Sequence, residues 1–378
     1  MSKFSRREFV THTAALSAVP LMASSIGEAF AKPAPKKQLG IALCGLGKLS
    51  TDQIAPALQH TRYAKLTGIV TGTPAKAKAW KEKYNIPDKN IYNYDNMHEM
   101  INNPDIDIVY VVTPNALHAR DTIAAAKAGK HVFCEKPMEV SVEKCQQMID
   151  ACKQANRMLG IAYRCQFDAN HLECMRIARE KEFGNLRMVN AGFCIKLGDD
   201  PAQYRLHRDL AGGGSLMDVG IYALQSTMYI TGEQPVSVTA IQTTTNPQKF
   251  NDVEETVSFQ LKFPSGVIGN CVCSYNFYDE GGFRVFGEKG FYGLDRGFYY
   301  NGARGFRSDG KPLKFTDDIY GSSEQDSWPQ FAKEVDNFAQ CVMNNKATIV
   351  PGEMGLRDVR IMLKTYEAIR TGKPVQLT

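Results

Sequence analysis

The sequence lacks the features that mark several common classes of protein. Its most apolar N-terminal stretch is short and is interrupted by Pro20 and by several Ser and Thr residues, so it is a poor membrane anchor. The ten cysteines form no C-x-x-C pair, and the seven histidines show no metal-ligand spacing. We therefore expect no membrane partner and no metal site. The cysteines occupy apolar positions such as Cys44 and Cys134, and we expect them to be buried free thiols.

A strong charge of one sign is also absent. The 378 residues carry a formal net charge of +5. The first 31 residues hold three of the basic and two of the acidic side chains, so the remainder is close to about +4. Charge this mild and this scattered does not favour a nucleic-acid partner. A composition with 43% hydrophobic and 22% charged residues is typical of a globular protein, and the length favours two domains.

The N-terminus has the parts of a twin-arginine export signal in the correct order. The pair Arg6 and Arg7 precedes a weakly apolar stretch, residues 11–26, and a small-x-small cleavage site at residues 29–31. We expect residues 1–31 to be removed and the mature protein to be periplasmic after export in the folded state. The alternative is a chance pair of arginines in a basic N-terminus.

Strand and helix patterns then alternate as far as residue 163. Apolar runs bounded by turn residues predict buried strands, and amphipathic stretches between them predict helices. The predicted strands are residues 39–44, 64–70, 107–112, 131–134 and 158–163, and the predicted helices are residues 74–84, 117–128 and 142–156. This βαβ series is typical of a doubly wound parallel sheet, so we predict a Rossmann domain over residues 32–160.

The pattern changes near Gly184. Three segments alternate with period two between Pro and Gly turns, as in an antiparallel sheet with one face in water, and two helices follow. The three segments are residues 237–245, 256–263 and 267–275, and the helices are residues 328–344 and 353–371. We predict an α/β protein in which the Rossmann domain is followed by an α+β domain, residues 161–378. The last helix, residues 353–371, is expected to pack back on the N-terminal domain.

A glycine-rich turn follows the first strand and fits the pattern G-x-G-x-x-S. Gly45 allows the tight turn, Gly47 lets the backbone approach a pyrophosphate, and Ser50 stands where helix packing is controlled. The position of the turn between a buried strand and a helix predicts a dinucleotide site.

The end of the second strand indicates which dinucleotide binds. An NAD enzyme places Asp or Glu there to bind the ribose hydroxyls, whereas this chain has Thr71-Gly72-Thr73, followed by Lys76 and Lys78. Hydroxyl and ammonium groups suit a 2′-phosphate, so the sequence favours NADP over NAD. The alternative is that both lysines only form a solvated helix face.

Two further segments carry groups suited to hydride transfer. Glu135-Lys136-Pro137 follows the predicted strand 131–134, at the carboxyl edge of the sheet, and its X-Pro bond is a candidate cis peptide. A flexible loop, residues 212–214, enters a helical segment on which Asp218 and Tyr222 stand four residues apart. Taken singly, a lysine before proline is usually a surface residue and a tyrosine in an apolar helix is usually core.

Together these segments resemble the Gfo/Idh/MocA oxidoreductase family over essentially the whole mature chain. The resemblance rests on the glycine turn, on Thr113-Pro114-Asn115 with His118, on Glu135-Lys136-Pro137, and on the Asp218/Tyr222 segment. Residues 160–165, 205–208 and 210–218, with the export signal, are most similar to the glucose–fructose oxidoreductase branch. The resemblance implies a large open-faced C-terminal sheet that builds a homo-oligomer, a dimer or a tetramer, and a sugar pocket between the domains.

The resemblance also implies site residues and a reaction. The implied reaction is oxidation of an aldose at C1 to the lactone, with Tyr222 as general base, its pKa lowered by Lys136 and the nicotinamide, and with Asp218 binding a sugar hydroxyl. The catalytic residues are then Lys136, Asp218 and Tyr222. The cofactor contacts are Gly45, Leu46, Gly47, Lys48, Thr71, Gly72, Thr73, Lys76, Thr113, Pro114, Asn115, His118, Glu135, Lys136 and Arg164, and the substrate contacts are Lys136, Arg164, Arg208, Asp218 and Tyr222.

The chain departs from that branch at three places. A long Pro-rich arm that holds the cofactor is replaced by the short segment 32–37, Gln166-Phe167 stands in place of His-Tyr, and Tyr204 stands in place of Trp. Permanent retention of NADP(H), with reoxidation by a second sugar, therefore remains open. The alternatives are a simple NADP-dependent sugar or dihydrodiol dehydrogenase, an NAD-dependent glycosidase of the same fold, and a non-catalytic sensor of sugar or NADP.

Overall fold

The structure is a computed structural model that describes residues 36–279, 281–313, 320 and 326–377. The predicted export signal, residues 1–31, lies outside the described residues and stays a prediction. Within the described ranges, no helix is both long enough and apolar enough to cross a membrane.

Six parallel strands form the first sheet, in the order β3-β2-β1-β4-β5-β6. They are β1 (Leu39–Cys44), β2 (Ala64–Val70), β3 (Ile91–Tyr92), β4 (Ile108–Val111), β5 (His131–Glu135) and β6 (Leu159–Ala162). All residues of β1 and β4 are buried, as expected for central parallel strands that are covered on both faces. This strand order is that of a dinucleotide-binding sheet, and the predicted Rossmann fold is confirmed.

Helices connect these strands. They are α1 (Ala55–Ala57), which continues a π-helical turn (Ser50–Ile54), then α2 (Pro74–Tyr84), α3 (His118–Lys127) and α4 (Val142–Gln154), with short 3-10 turns at Asp88–Asn90, Met97–Asn102 and Asn115–Leu117. The side chain of Ser141 accepts a hydrogen bond from the Lys144 amide at 3.1 Å and so begins α4. The left-handed backbone of Asn85 ends α2.

Eight strands form the second sheet, in the order β13-β12-β11-β7-β10-β9-β8-β14. They are β7 (Leu186–Cys194), β8 (Ser237–Thr243), β9 (Thr256–Lys262), β10 (Ile268–Ser274), β11 (Gly282–Gly287), β12 (Gly290–Asp295), β13 (Arg304–Arg307) and β14 (Val375–Gln376). Only β7 and β10 pair in parallel. Buried and exposed residues alternate along β9, so the predicted, mostly antiparallel sheet with one wet face is confirmed.

The remaining helices pack on both sheets. They are α5 (Ala169–Arg179), α6 (Arg208–Ala211), α7 (Ile221–Thr231), α8 (Trp328–Met343) and α9 (Gly352–Thr371), with short turns at Arg164–Phe167, Tyr204–Leu206 and Leu216–Gly220. In α8, Phe338 stacks on Phe133 of β5 with ring centroids 4.7 Å apart. Helix α9 packs against α4 of the first half and against β8 of the second. The C-terminal helices therefore belong to the same folded body as the Rossmann sheet.

The segment 281–310 is rich in glycine and aromatic residues, and it forms β11, β12 and β13, which are absent from the predicted strands. Its glycines interrupt the alternation of apolar and polar side chains on which strand prediction depends. All ten cysteines lie in the described part of the chain as free thiols, and all except Cys341 are buried.

Candidate active site

The glycine turn lies at the carboxyl end of β1. Gly45 has φ of +97°, and a Cβ atom there would lie 2.9 Å from the carbonyl carbon and oxygen of Val112, so only glycine fits. At Gly47 a Cβ atom would meet no atom within 4 Å, which leaves open space over the turn. The Ser50 hydroxyl donates a hydrogen bond to the Gly45 carbonyl at 2.6 Å. Serine at the third position thus closes the turn through a hydrogen bond, where the usual glycine would only allow close packing.

Hydroxyl and ammonium groups surround the end of β2. The Thr71 hydroxyl accepts a hydrogen bond from the Thr73 amide at 3.2 Å. Lys76 reaches back and donates from Nζ to the Leu46 carbonyl at 3.0 Å, so its positive charge lies against the glycine turn. Gly72 and Lys48 are both exposed. The residues predicted to bind a 2′-phosphate therefore lie together, and the residue directly after β2 is Thr71, where an NAD enzyme would carry a carboxylate.

The loop after β4 is bound within the chain. The Thr113 hydroxyl donates to Asp121 at 2.8 Å, and the Asn115 amide donates to the Ala211 carbonyl at 2.9 Å. Pro114, between them, has extended backbone before the short turn. The imidazole of buried His118 lies 2.7 Å from the Thr113 carbonyl through Nε2 and 3.0 Å from the Pro137 carbonyl through Nδ1.

Burial lowers the pKa of His118, and these backbone carbonyls oppose that shift. Because both ring nitrogens already face carbonyl oxygens, His118 joins the loops after β4 and β5. It offers no free nitrogen to a substrate.

Lys136 and Asp218 meet across the two halves of the chain. The Lys136–Pro137 peptide is cis, as predicted. Lys136 Nζ donates to the Asp218 carbonyl oxygen at 2.9 Å and lies 3.4 Å from Asp218 Oδ1. Asp218 Oδ2 accepts hydrogen bonds from Arg205 Nε at 2.7 Å and from the Tyr275 hydroxyl at 3.0 Å.

The charges around Asp218 keep it ionised. Burial alone would raise the pKa of Asp218, but the Arg205 guanidinium and the Lys136 ammonium outweigh burial and hold the pKa well below its usual range. The carboxylate can therefore only accept hydrogen bonds at working pH, which suits a sugar hydroxyl.

Tyr222 lies beside this ion pair in the first turn of α7. Lys136 Nζ stands 4.6 Å from the centroid of the Tyr222 ring, whereas the phenol oxygen accepts its hydrogen bond from Arg164 Nε at 3.2 Å. Phe193 packs edge-on against the same ring at 5.4 Å.

The expectation that Lys136 lowers the pKa of Tyr222 needs correction. Burial raises the pKa of Tyr222 above its ordinary value, and the opposing positive charge is that of Arg164, because the Lys136 ammonium faces the ring and is bound to Asp218.

The turn that carries Asp218 is fixed from beneath by a carboxylate. Glu254 accepts hydrogen bonds from the Gly214 amide at 2.8 Å and from the Leu216 amide at 3.0 Å. A Cβ atom on Gly214 would lie 2.1 Å from the Glu254 carbonyl oxygen, so the backbones meet only because glycine is present. Tyr366 of α9 donates to the same carboxylate at 2.8 Å. The sequence suggested a flexible glycine-rich loop. The structure instead shows it bound to the Glu254 carboxylate and packed against the Glu254 backbone.

A pair of buried carboxyl groups lies behind Lys136. The Tyr110 hydroxyl is 2.9 Å from Glu135 Oε1 and 3.3 Å from Glu334 Oε1. Burial raises the pKa of Glu135 and raises that of Glu334 further, because Glu334 also faces the charge of Glu135. One hydroxyl proton cannot satisfy two carboxylates, and Glu334 Oε2 has no hydrogen-bond partner among the described residues. Glu334 is therefore the neutral member of the pair.

Arg164 and Arg208, both predicted to contact ligand, occupy different surroundings. Arg164 is buried and bound within the chain. Arg208 is exposed, and its Nε donates to the Asp252 carbonyl at 2.9 Å. The structure thus brings Lys136, Asp218, Tyr222 and Arg164 together and places Arg208 with Asp252.

A cavity of about 270 Å³, including open solvent at its mouth, adjoins Tyr222. Its lining residues are Lys136, Tyr163, Cys165, Gln166, Ile221, Tyr222, Gln225 and Tyr229. Gln166, which departs from the family pattern, donates to Gln225 of α7 at 2.8 Å.

The Gln330 side chain of α8 accepts a hydrogen bond from Arg164 NH1. Sequence reasoning did not find Arg205, Tyr275, Glu254 or Gln330 as parts of this site. Only Arg205 had a signal, because it stands in a segment similar to the family.

Both halves of the chain match models of known protein families. Residues 39–163 match the model of an oxidoreductase family with an NAD-binding Rossmann fold, and residues 171–292 match the GFO/IDH/MocA C-terminal domain. The chain belongs to the Gfo/Idh/MocA family of oxidoreductases. The resemblance drawn from its motifs is confirmed, and the first sheet is an NAD(P)-binding domain.

Three relatives illustrate the range of the family. The structure of aldose-aldose oxidoreductase from Caulobacter crescentus, complexed with glycerol, is 40% identical, has a TM-score of 0.84 and covers 90% of this chain and 99% of its own. D-xylose 1-dehydrogenase [NADP(+)] from Haloarcula marismortui is 29% identical, over 89% of this chain and 92% of that protein. Trans-1,2-dihydrobenzene-1,2-diol dehydrogenase from Danio rerio is 29% identical, over 61% of this chain and 67% of that protein.

Alanine substitutions at the two glycines of the turn should have different effects, one on stability and the other on dinucleotide binding. Gly45→Ala should lower the free energy of unfolding by at least about 1–2 kcal/mol, because alanine meets both a left-handed φ and the Val112 backbone. Gly47→Ala should leave unfolding within about 0.5 kcal/mol and weaken dinucleotide binding, because its Cβ occupies the open space over the turn. Urea unfolding and calorimetric titration with NADP⁺ measure the two effects. Equal dinucleotide affinity of Gly47→Ala and the parent would place the phosphates elsewhere.

Proposed function

We propose that this family member oxidises an aldose at C1 to the lactone with NADP as cofactor. The observation that carries the proposal is the convergence of Lys136, Asp218 and Tyr222 at the carboxyl edge of the Rossmann sheet, the edge at which the glycine turn also lies. Relatives named as aldose-aldose oxidoreductase and as NADP-dependent D-xylose dehydrogenase support this substrate class and this cofactor.

The residues of the chain fit a bound NADP. The open space over Gly47 admits a pyrophosphate, and the Lys76 ammonium with the Thr71 and Thr73 hydroxyls suits a 2′-phosphate. When bound, the cofactor supplies the acceptor for the hydride that leaves C1 of the sugar. Glu135 ends β5, the strand next to β4, and Lys136 follows it, at the edge where that acceptor belongs.

The protein's own residues handle the proton and the orientation of the sugar. Asp218, held ionised, accepts a hydrogen bond from a sugar hydroxyl and fixes the ring. Tyr222, in its ionised form, takes the proton of the anomeric hydroxyl. Lys136 lies between the two and can donate to a sugar oxygen without leaving Asp218, since an ammonium has three protons.

A second question is whether NADP(H) stays bound between the oxidation of one sugar and the reduction of another. The aldose-aldose relative supports a cycle in which a second sugar is reduced, whereas the D-xylose dehydrogenase relative supports release of the cofactor. Mass spectrometry of cofactor released from the purified protein separates the two. Nearly full occupancy together with turnover without added NADP⁺ supports the two-sugar cycle.

A further prediction concerns Tyr222. Tyr222→Phe removes only the hydroxyl, so aldose oxidation should fall by about 10²–10⁴ while the fold and NADP⁺ binding persist. Because the pKa of Tyr222 is raised, the parent rate should increase with pH throughout the neutral range and into the alkaline range, and this dependence should be lost in the variant. Stopped-flow nicotinamide absorbance measures both. Tyr278→Phe, an exposed tyrosine, is the matched control. An unchanged rate in Tyr222→Phe would assign the proton to another group.

Cofactor preference rests on Thr71 and Lys76. Thr71→Asp should reduce the preference for NADP⁺ over NAD⁺ about fivefold or more, because like charges 4 Å apart cost about 1 kcal/mol even in water. Lys76→Ala should reduce it too, whereas Lys78→Ala on the same helix serves as the control, because the Lys76 ammonium is the one that lies against the glycine turn. Calorimetry with each dinucleotide measures the ratio. A parent protein that binds both equally would contradict the NADP proposal.

Export is proposed on the signal-like N-terminus alone. We expect a mature protein that starts at Lys32 in the periplasm. The double change Arg6→Lys, Arg7→Lys should leave the precursor in the cytosol, as measured by cell fractionation and N-terminal mass. Normal processing of that variant would overturn the twin-arginine assignment.

A homo-oligomer through the second sheet is also proposed. Met188, Ile268, Phe286 and Phe291 are cross-strand neighbours on the face opposite the core, and all are partly or well exposed. An apolar row across an otherwise polar sheet face supports association with a second copy.

A further inference from the structure

Arg164 lies directly after β6 and is buried with only 4% of its surface exposed. Every nitrogen of its guanidinium has an acceptor in the chain. Nε donates to the Tyr222 phenol oxygen at 3.2 Å, NH2 donates to the Phe298 carbonyl at 2.6 Å, and NH1 donates to the Gln330 side chain and, at 3.5 Å, to the Tyr299 carbonyl. Four of the five N–H groups of the guanidinium are therefore bound within the chain, although sequence reasoning assigned the residue to sugar and to cofactor.

Arg164 and Lys136 differ in the charge of the groups that they bind. Lys136 is paired with the Asp218 carboxylate, which Arg205 also contacts. The hydrogen-bond partners of Arg164 within the described ranges are a phenol, two backbone carbonyls and an amide, all of them neutral. Its guanidinium lies 4.8 Å from the Tyr222 ring and 4.7 Å from the Tyr300 ring, which flank it.

Charged and titratable groups from each neighbouring element face this pair. Glu135 and Lys136 come from the end of β5, Cys165 from the turn after β6, Asp218 from the turn before α7, Tyr300 from the loop after β12, and Glu334 from α8. Glu334 is neutral, and Asp218 is held by Lys136 and Arg205. The one hydrogen-bonded cation at the phenol oxygen is therefore that of Arg164.

We propose that Arg164 is the positioning residue of this site: its Nε–H fixes the Tyr222 phenol oxygen, and its charge stabilises the tyrosinate that accepts the sugar proton. The inference rests on the proposed oxidation. In that step the C1–H electron pair leaves as hydride to NADP⁺, the O1–H bond breaks, its proton passes to the Tyr222 oxygen, and the C1=O bond forms. Arg164 keeps all of its protons.

Gln330 offers a test that leaves Arg164 in place. Gln330→Glu sets a carboxylate against the guanidinium and competes for its charge, so the alkaline limb of the oxidation rate should move upward by about one pH unit, since a single nearby charge shifts a pKa by 1–3 units. Gln330→Met has a similar volume but no charge and should leave the limb in place.

Two changes at Arg164 itself complete the series. Arg164→Lys keeps the charge and should retain a limb close to that of the parent. Arg164→Gln should move the limb upward and lower the rate at neutral pH about tenfold or more. If Arg164→Gln fails to fold, as judged by thermal unfolding, the two Gln330 variants decide.

A second readout does not depend on turnover. The tyrosinate absorbance of the parent minus that of Tyr222→Phe, titrated with NADP⁺ bound, should appear at a higher pH in the Gln330→Glu background. An alkaline limb and an absorbance titration that both stay in place in Gln330→Glu would overturn the role of Arg164. Failure of the parent to oxidise any aldose would overturn the proposed function, while the absorbance titration would still test Arg164.

Discussion

The contact on which the site depends is the one between the Lys136 ammonium and the Asp218 segment. The two residues are 82 positions apart and belong to different halves of the chain, since Lys136 directly follows β5 and Asp218 lies in the turn that leads to α7. Two cations, Lys136 and Arg205, share one carboxylate that is mostly buried. Removing that carboxylate would leave two charges unpaired, whereas its presence defines where the first half of the molecule meets the second. Tyr222 stands four residues after Asp218, so the contact that fixes Asp218 also fixes the position of Tyr222.

Such a contact requires that the backbone on each side be fixed independently. On the first side, His118 contacts the Thr113 carbonyl in the loop after β4 and the Pro137 carbonyl, and so holds the backbone next to Lys136. On the second side, the Glu254 carboxylate binds two amides of the segment that precedes Asp218. Both supports are buried polar side chains that contact backbone groups directly, which makes them rigid as well as specific.

Sequence predicted most of this architecture because the relevant signals are local. Helix α2 and strand β2 match their predicted bounds, since a proline, apolar runs and turn residues delimit them. Strands β11 to β13 were not recognised because glycines break their alternation, and β7 because its partners lie far along the chain.

The same division between local and distant contacts applies to the site. Lys136, Asp218 and Tyr222 were found because motifs carry them. The partners Tyr275 and Gln330 could not be found, since each reaches the site only through tertiary packing. The protonation of Tyr222 was misjudged for the same reason. Sequence shows that a lysine is near but not that Asp218 binds its ammonium, nor that burial outweighs the remaining charge.

A tyrosine with a raised pKa has a consequence for the proposed chemistry. At neutral pH Tyr222 is mostly a phenol, which is a proton donor, so the resting site is prepared for reduction of a sugar carbonyl as well as for oxidation of a hydroxyl. In a cycle between two sugars, the proton taken from the first sugar is the one that the second requires. A high pKa retains that proton on Tyr222, and the Arg164 hydrogen bond keeps the phenol oxygen in one place in both protonation states. One residue can then serve as base and as acid without exchange with solvent, which a tyrosine with a lowered pKa would do less well.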